Sequence, residues 1–170
     1  ARRHWTIPTK SRGFQPFALN RCQRIVDDEF ERQMWGRGYV RINVLKPRQS
    51  GNTTYSTRRA LHYCMTRGAR TALTIADKKE TPSEWLARCQ ANYEQTPDPL
   101  KPKLGRAEAG HQIAFDNGSR YYIGSAQAGF PGVGDCIHFL HLSEVCWWDQ
   151  PPISKDPAEV LNPLIPAAPS

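Results

Sequence analysis

Lys46, Arg48, Gly51, Thr53 and Thr54 fall within one nine-residue span of LKPRQSGNTT, and together they have the parts of a polyphosphate site. Glycine lets backbone N–H groups approach closely, a helix starting at such a loop aims further N–H groups at the anion, and a threonine hydroxyl can reach magnesium. The common loop of this kind also carries lysine directly after its last glycine, to meet the β and γ phosphates. Here that residue is Asn52, a neutral amide. Lys46, on a long flexible stem, and Arg48, with a planar fork, are the nearby side chains able to restore the charge. Far downstream, CIHFLHLSE delivers Ser143 and Glu144 at the end of an apolar run. Acidic residues so placed hold magnesium or orient the attacking water in nucleotide hydrolysis. Glu144 is the candidate base, and Ser143 stands where an aspartate is usual. Against this stand plainer readings: an ordinary strand–turn–helix connection, and a core strand followed by an exposed glutamate.

These residues need elements to bring them together. YVRINVL (39–45) predicts a strand and Thr53 to Met65 the helix after the loop. Upstream, Asn20 is a suitable N-cap for a helix through about Gln33, with Cys22, Ile25, Val26, Phe30 and Met34 as its apolar stripe and Gly36 and Gly38 as its stop. TALTIAD (71–77) is short and rich in β-branched residues, predicting a strand, and Thr81 or Ser83 would cap a helix over Glu84 to Tyr93. In HQIAFDNGSRYYIGSA the Asn117–Gly118 pair between two alternating runs signals a β-hairpin. CIHFLHL then predicts a buried strand. Strands alternating with helices, some with unbroken apolar runs, predict an α/β fold: a mainly parallel sheet with helices on both faces, plus a hairpin.

At 170 residues, with 39% hydrophobic and 23% charged content, one domain with a real core is expected. Residues 1–18 read as a basic extended arm, 19–150 as the folded domain, and 151–170 as a proline-rich tail holding six of the 14 prolines, with no closing element. No apolar run approaches the ~20 residues needed to span a bilayer, and the basic start has no apolar segment behind it, so a membrane role and a secretory signal are not expected. The five cysteines are odd in number and form no CxxC pair, which favours a reduced compartment over a zinc knuckle. Residues 1–50 hold 11 Lys or Arg against 4 Asp or Glu, and the remainder 12 against 12. The net charge of +7 therefore lies in the first third, where Arg2, Arg3, Lys10, Arg12, Arg21 and Arg24 could meet phosphates of a nucleotide or of DNA, or form a solvated basic face.

In this order the segments resemble one family, the large terminase subunits of tailed bacteriophages, ATPases that drive DNA into empty capsids. FALNRCQRIV resembles the family's adenine-recognition segment, LKPRQSGNTT its Walker A loop with the Arg48–Gln49 pair as a specific mark, and IAFDNGSRYYIGSA followed by FLHLSEVCWW its approach to the Walker B strand. The resemblance spans roughly residues 14 to 150 and implies a P-loop ATPase domain with ATP and Mg2+ as cofactors. Gln23 would read adenine. Lys46, Pro47, Arg48, Gln49, Ser50, Gly51, Asn52, Thr53 and Thr54 would hold the phosphates, with Lys46 and Arg48 supplying charge. Glu144 would orient water, and Thr53, Ser143 and Glu144 would stand near the metal. Double-stranded DNA, a homo-oligomeric ring, the capsid portal and the small terminase subunit are the implied partners, and the bacterial host cytoplasm the implied location. Two departures stand out: Asn52 replaces the usual lysine, and Val133 precedes Gly134 where many members carry an arginine that acts across a subunit boundary. They favour a rival reading, a degenerate nucleotide- or DNA-binding assembly module without turnover. A helicase-like ATPase is a third, since such enzymes share the glutamine segment and the loop. The family's nuclease domain would lie beyond Ser170.

Overall fold

The computed structural model describes residues 4–9, 13–47, 49–77, 81–106, 112–127, 136–151 and 153–164. A four-stranded sheet in the order β4-β5-β3-β6 forms its centre, from β3 (Thr71–Ala76), β4 (Gln112–Ala114), β5 (Arg120–Ser125) and β6 (Phe139–Leu142). β3 runs parallel to both β5 and β6, with Thr71 opposite Arg120 and Ala72 opposite Phe139; only β4 is antiparallel to its neighbour. The buried strand expected in CIHFLHL is shorter and lies at the sheet edge among the described residues, Phe139–Leu142, half-buried with Leu140 exposed, whereas the strand expectation at 71–77 holds. So does the hairpin: Gly118 turns at φ 79°, and Phe115 and Ser119 close it through a backbone bond of 2.9 Å. Asn117 at its tip donates to the Cys64 carbonyl at 3.0 Å, tying the turn to the end of a helix.

Side chains alternate across β3 and β6, so each strand feeds two cores. Ala72 and Phe139 pack with Leu61 and Cys64 of α2 (Asn52–Thr66) and with Leu86, Cys89 and Tyr93 of α3 (Thr81–Glu94). Leu73, Ile75 and Leu142 face the other way, against Trp148, Ile153, Val160 and Leu164. That second layer includes α4 (Pro157–Leu161), capped by the Asp156 carboxylate, so residues 151–164 do supply an element that closes this face, contrary to expectation. Pro157 fits the first turn of a helix because its missing N–H would be unpaired there anyway.

The amino-terminal segment also differs from the expected extended arm. β1 (Thr6–Thr9) and β2 (Gly13–Pro16) form a hairpin flanked by Trp5 and Phe17, both buried in the first core. The Trp5 indole N–H donates to Thr96 Oγ1 at 2.8 Å, and the Arg58 guanidinium, lying over the Phe17 ring, donates to the Thr6 carbonyl at 2.9 Å. Burial lowers the Arg58 pKa to about 10.

α1 (Arg21–Arg37) starts at Asn20 as expected, in a capping box completed by Gln23, and ends at Gly38 in the left-handed region; Gly36 lies inside the helix rather than stopping it. Its predicted apolar stripe is only in part its buried face. Cys22 and Ile25 are exposed, whereas Gln23 and Gln33 are buried; Val26, Phe30 and Met34 are half-buried, with the Phe30 ring stacked on Phe139 and covered by the Arg59 guanidinium. Tyr55 Oη and Arg59 Nη1 of α2 both donate to Asp27 Oδ1, at 2.8 and 2.7 Å.

The predicted strand at 39–45 does not form. Those residues join no ladder among the described residues, and Tyr39, Val44 and Leu45 are exposed. An alternating apolar pattern makes a segment suited to a sheet, but a strand exists only where a neighbour accepts its hydrogen bonds.

Candidate functional site

The loop after residue 45 lies beside the carboxyl end of β6. Lys46 Nζ donates to Glu144 Oε1 at 2.5 Å, joining the loop's first residue to the residue that follows the strand by two places. Both side chains are partly buried, which screens the pair less than at an open surface. Glu144 holds its carboxylate there from a left-handed backbone, φ 57° and ψ 36°. Such a conformation in a non-glycine residue costs of order 1–3 kcal/mol and is kept only where the surroundings impose it. Here the residue before Glu144 is held on both sides: Ser143 N–H donates to the Ile75 carbonyl at 3.0 Å and the Ser143 carbonyl accepts from Trp148 Nε1 at 3.1 Å.

β6 alternation sends His141 and Ser143 to the same side as Phe139, toward α2. Ser143 Oγ lies 3.3 Å from Thr53 Oγ1, so two hydroxyls meet where the loop and the strand end converge. His141 keeps a buried Nδ1 without a hydrogen-bond partner among the described residues. Burial, and then the Lys46 ammonium, push its pKa down to about 4, so the imidazole is neutral at pH 7.

The loop itself turns through two left-handed residues, Gln49 at φ 61° and Gly51 at φ 77°. Gly51 is the N-cap of α2, and no side chain caps the helix; its first turn has no acidic residue. The first N–H groups of this 15-residue helix thus meet no acidic side chain from its own first turn, which favours an anion at the helix start. Ser50 and Asn52 are buried, and among the described residues Ser50 Oγ and Asn52 Oδ1 have no hydrogen-bond partner. Buried polar atoms are normally paired, so this cluster of orphans marks where a polar ligand or water would be accommodated. Thr53 and Thr54 are half-buried, their carbonyls facing Thr57 Oγ1 at 2.9 and 3.3 Å; Pro47 is exposed.

The structure thus brings Lys46, Thr53, Ser143 and Glu144 together, with Gly51 and Asn52 at the start of the adjoining helix. Gln23 lies against the loop from α1, its Nε2 donating to the Gly51 carbonyl at 2.7 Å. Arg48, Val133 and Gly134 lie outside the described residues. Two participants escaped the sequence reading. Asn20 was legible only as a helix cap, yet its Nδ2 also donates to the Ser50 carbonyl at 3.0 Å. His141 was passed over, although its spacing of two from Ser143 on a strand puts both on one face.

The class that the fold defines is mixed α/β with a mostly parallel sheet, and a glycine-turned loop lies beside one of its strand ends. Residues 43–158, well over half of the chain, match the family described as terminase large subunit, T4likevirus-type, N-terminal. The chain belongs to this family, and a role in viral DNA packaging follows from it. No curated protein matches the chain.

Among the described residues no helix is long and apolar enough to cross a membrane. The hydroxyls of Thr53 and Ser143, with the Glu144 carboxylate that Lys46 engages in this structure, are oxygens of the kind that a hard cation such as Mg2+ takes.

Proposed function

We propose that this chain is the ATP-binding and ATP-hydrolysing part of a DNA-packaging motor, with the 45–54 loop as its triphosphate cradle. The observation that carries the reading is the Lys46–Glu144 pair, which joins a loop cation to a strand-end base beside free helix N–H groups. Membership in the terminase large-subunit family supports ATPase activity over a helicase-like one.

Backbone N–H groups of Gly51 to Thr54 and the threonine hydroxyls would bind the phosphates, and Lys46 would replace the lysine missing at Asn52. With no nucleotide, the ammonium neutralises Glu144. A triphosphate competes for that ammonium, and its arrival frees the carboxylate to orient water and accept its proton. Thr53, Ser143 and Glu144 would hold Mg2+, which when bound shields the phosphate charge. Double-stranded DNA would be drawn by the basic first third of the chain, where Arg21 and Arg24 are exposed.

ATP turnover tests this directly. The wild-type chain hydrolyses ATP, and Lys46→Ala and Glu144→Gln each lower kcat by about 100-fold or more, as displaced or missing transition-state charge does. The second reading, a binding module without turnover, is favoured by Asn52 and by the absence of arginine after Arg120 in the sequence. ATP bound by the wild type with no phosphate released establishes that reading instead.

A further inference from the structure

The Gln23 carboxamide is engaged at both ends within the protein. Oε1 accepts from the Asn20 N–H at 3.0 Å, and Nε2 donates to the Gly51 carbonyl at 2.7 Å, while the residue is 4% exposed. Asn20 divides its amide in the same way: Oδ1 accepts from the Gln23 N–H at 2.9 Å, and Nδ2 donates to the Ser50 carbonyl at 3.0 Å. Two consecutive loop carbonyls are therefore tied to the first turn of α1. In a trans peptide the C=O and the following N–H point in opposite directions. Drawing the Ser50 and Gly51 carbonyls toward α1 turns the N–H groups of Gly51 and Asn52 away from it, outward from the loop. The approach is close enough that a Cβ on Gly51 would lie 2.7 Å from Gln23 Nε2 and 3.3 Å from Asn20 Nδ2.

We infer that Gln23 and Asn20 are positioning residues for the phosphate loop, setting the direction of its N–H groups before any ligand arrives. The inference rests on the reading of that loop as a phosphate cradle. It gives Gln23 work besides adenine recognition, for one N–H of Nε2 and one lone pair of Oε1 hold Gly51 and the α1 cap while the second of each is left for a base. Base occupancy and loop geometry are then coupled through one side chain.

Gln23→Glu separates these roles, because glutamate still accepts from the Asn20 N–H and keeps the capping box, but offers no donor to Gly51. Asn20→Asp does the same for Ser50, and serves if the first variant folds poorly. The measurements are amide order parameters by NMR in the ligand-free chain, and affinities for inorganic tripolyphosphate and for ATP. In either variant the order parameters of Gly51 and Asn52 fall from the rigid range to about 0.6 while those of α1 stay unchanged. Tripolyphosphate and ATP affinities drop together by about tenfold, the scale of one lost hydrogen bond. Order parameters at Gly51 and Asn52 that match the wild type overturn the inference. So does a loss of ATP affinity with tripolyphosphate affinity intact, which assigns Gln23 to the base alone. A wild type that binds no tripolyphosphate, with the loop still loosened by the substitutions, instead removes the phosphate reading and leaves the tie standing.

Discussion

Gly51 concentrates three demands on one residue. Its φ of 77° belongs to the left-handed region, its carbonyl accepts from both Gln23 and Tyr55, and α1 leaves no room for a side chain. Gly51→Ala meets the strain and the collision together, so either the Gln23 side chain gives way, loosening its bond to the Gly51 carbonyl, or the loop shifts. We expect a loss of about 1–3 kcal/mol in unfolding free energy, read from urea denaturation, and a larger loss in nucleotide affinity than stability alone explains. An alanine variant as stable as the wild type would show that the loop is not held in this conformation. Part of this was open to inspection in the sequence: a glycine before Asn52 and two threonines marks a turn into a helix. That Lys46 reaches Glu144, 98 residues away, was not legible, because spacing along the chain says nothing about which strand end lies beside which loop.

Among the elements, those with self-contained signals were legible. Asn20 with Gln23 three residues on announces the start of α1, and Asn117–Gly118 announces its hairpin, since each carries its own hydrogen-bonding partners nearby. Residues 39–45 show the converse, because strand formation there depends on a neighbour that the local pattern cannot specify. The hairpin of β1 and β2 was hidden for a related reason: Trp5 and Phe17 look like scattered aromatics until α2 and α3 are present to receive them. This element can be tested through a contrast within it. Trp5 is 1% exposed and Phe14 72% exposed. Trp5→Ala should cost about 3–5 kcal/mol, having emptied a buried indole site, whereas Phe14→Ala should stay within about 0.5 kcal/mol of the wild type. Equal effects of the two in chemical denaturation would mean that the hairpin does not dock on the core.

At the scale of the whole molecule, the first core holds groups that must stay protonated for the sheet and its helices to pack. Cys64 and Cys89 are fully buried between α2, α3 and the sheet, and burial pushes both thiols up to about 12; Tyr121 beside them is raised well above the usual phenol range by the same cause. The unfolded chain has no such barrier and releases these thiol protons near pH 9. Between about 9 and 12 the native state therefore binds more protons than the unfolded one, so stability is fully present below pH 9 and is lost as pH rises through that window. Each thiol should remove about 1.4 kcal/mol between pH 8 and pH 10, or nearly 3 kcal/mol for the pair. Arg58 acts in the opposite sense, since its folded pKa is depressed, but only above about 10, where the folded protein first gives up that proton. Unfolding free energies from urea titrations at pH 8, 9 and 10 should thus fall progressively, and the Cys64→Ala, Cys89→Ala double variant should lose most of the slope while losing stability at every pH. A slope that survives the double substitution would place the alkaline sensitivity elsewhere, and with it would go the claim that a dry, proton-retaining core backs the loop and strand ends of the site.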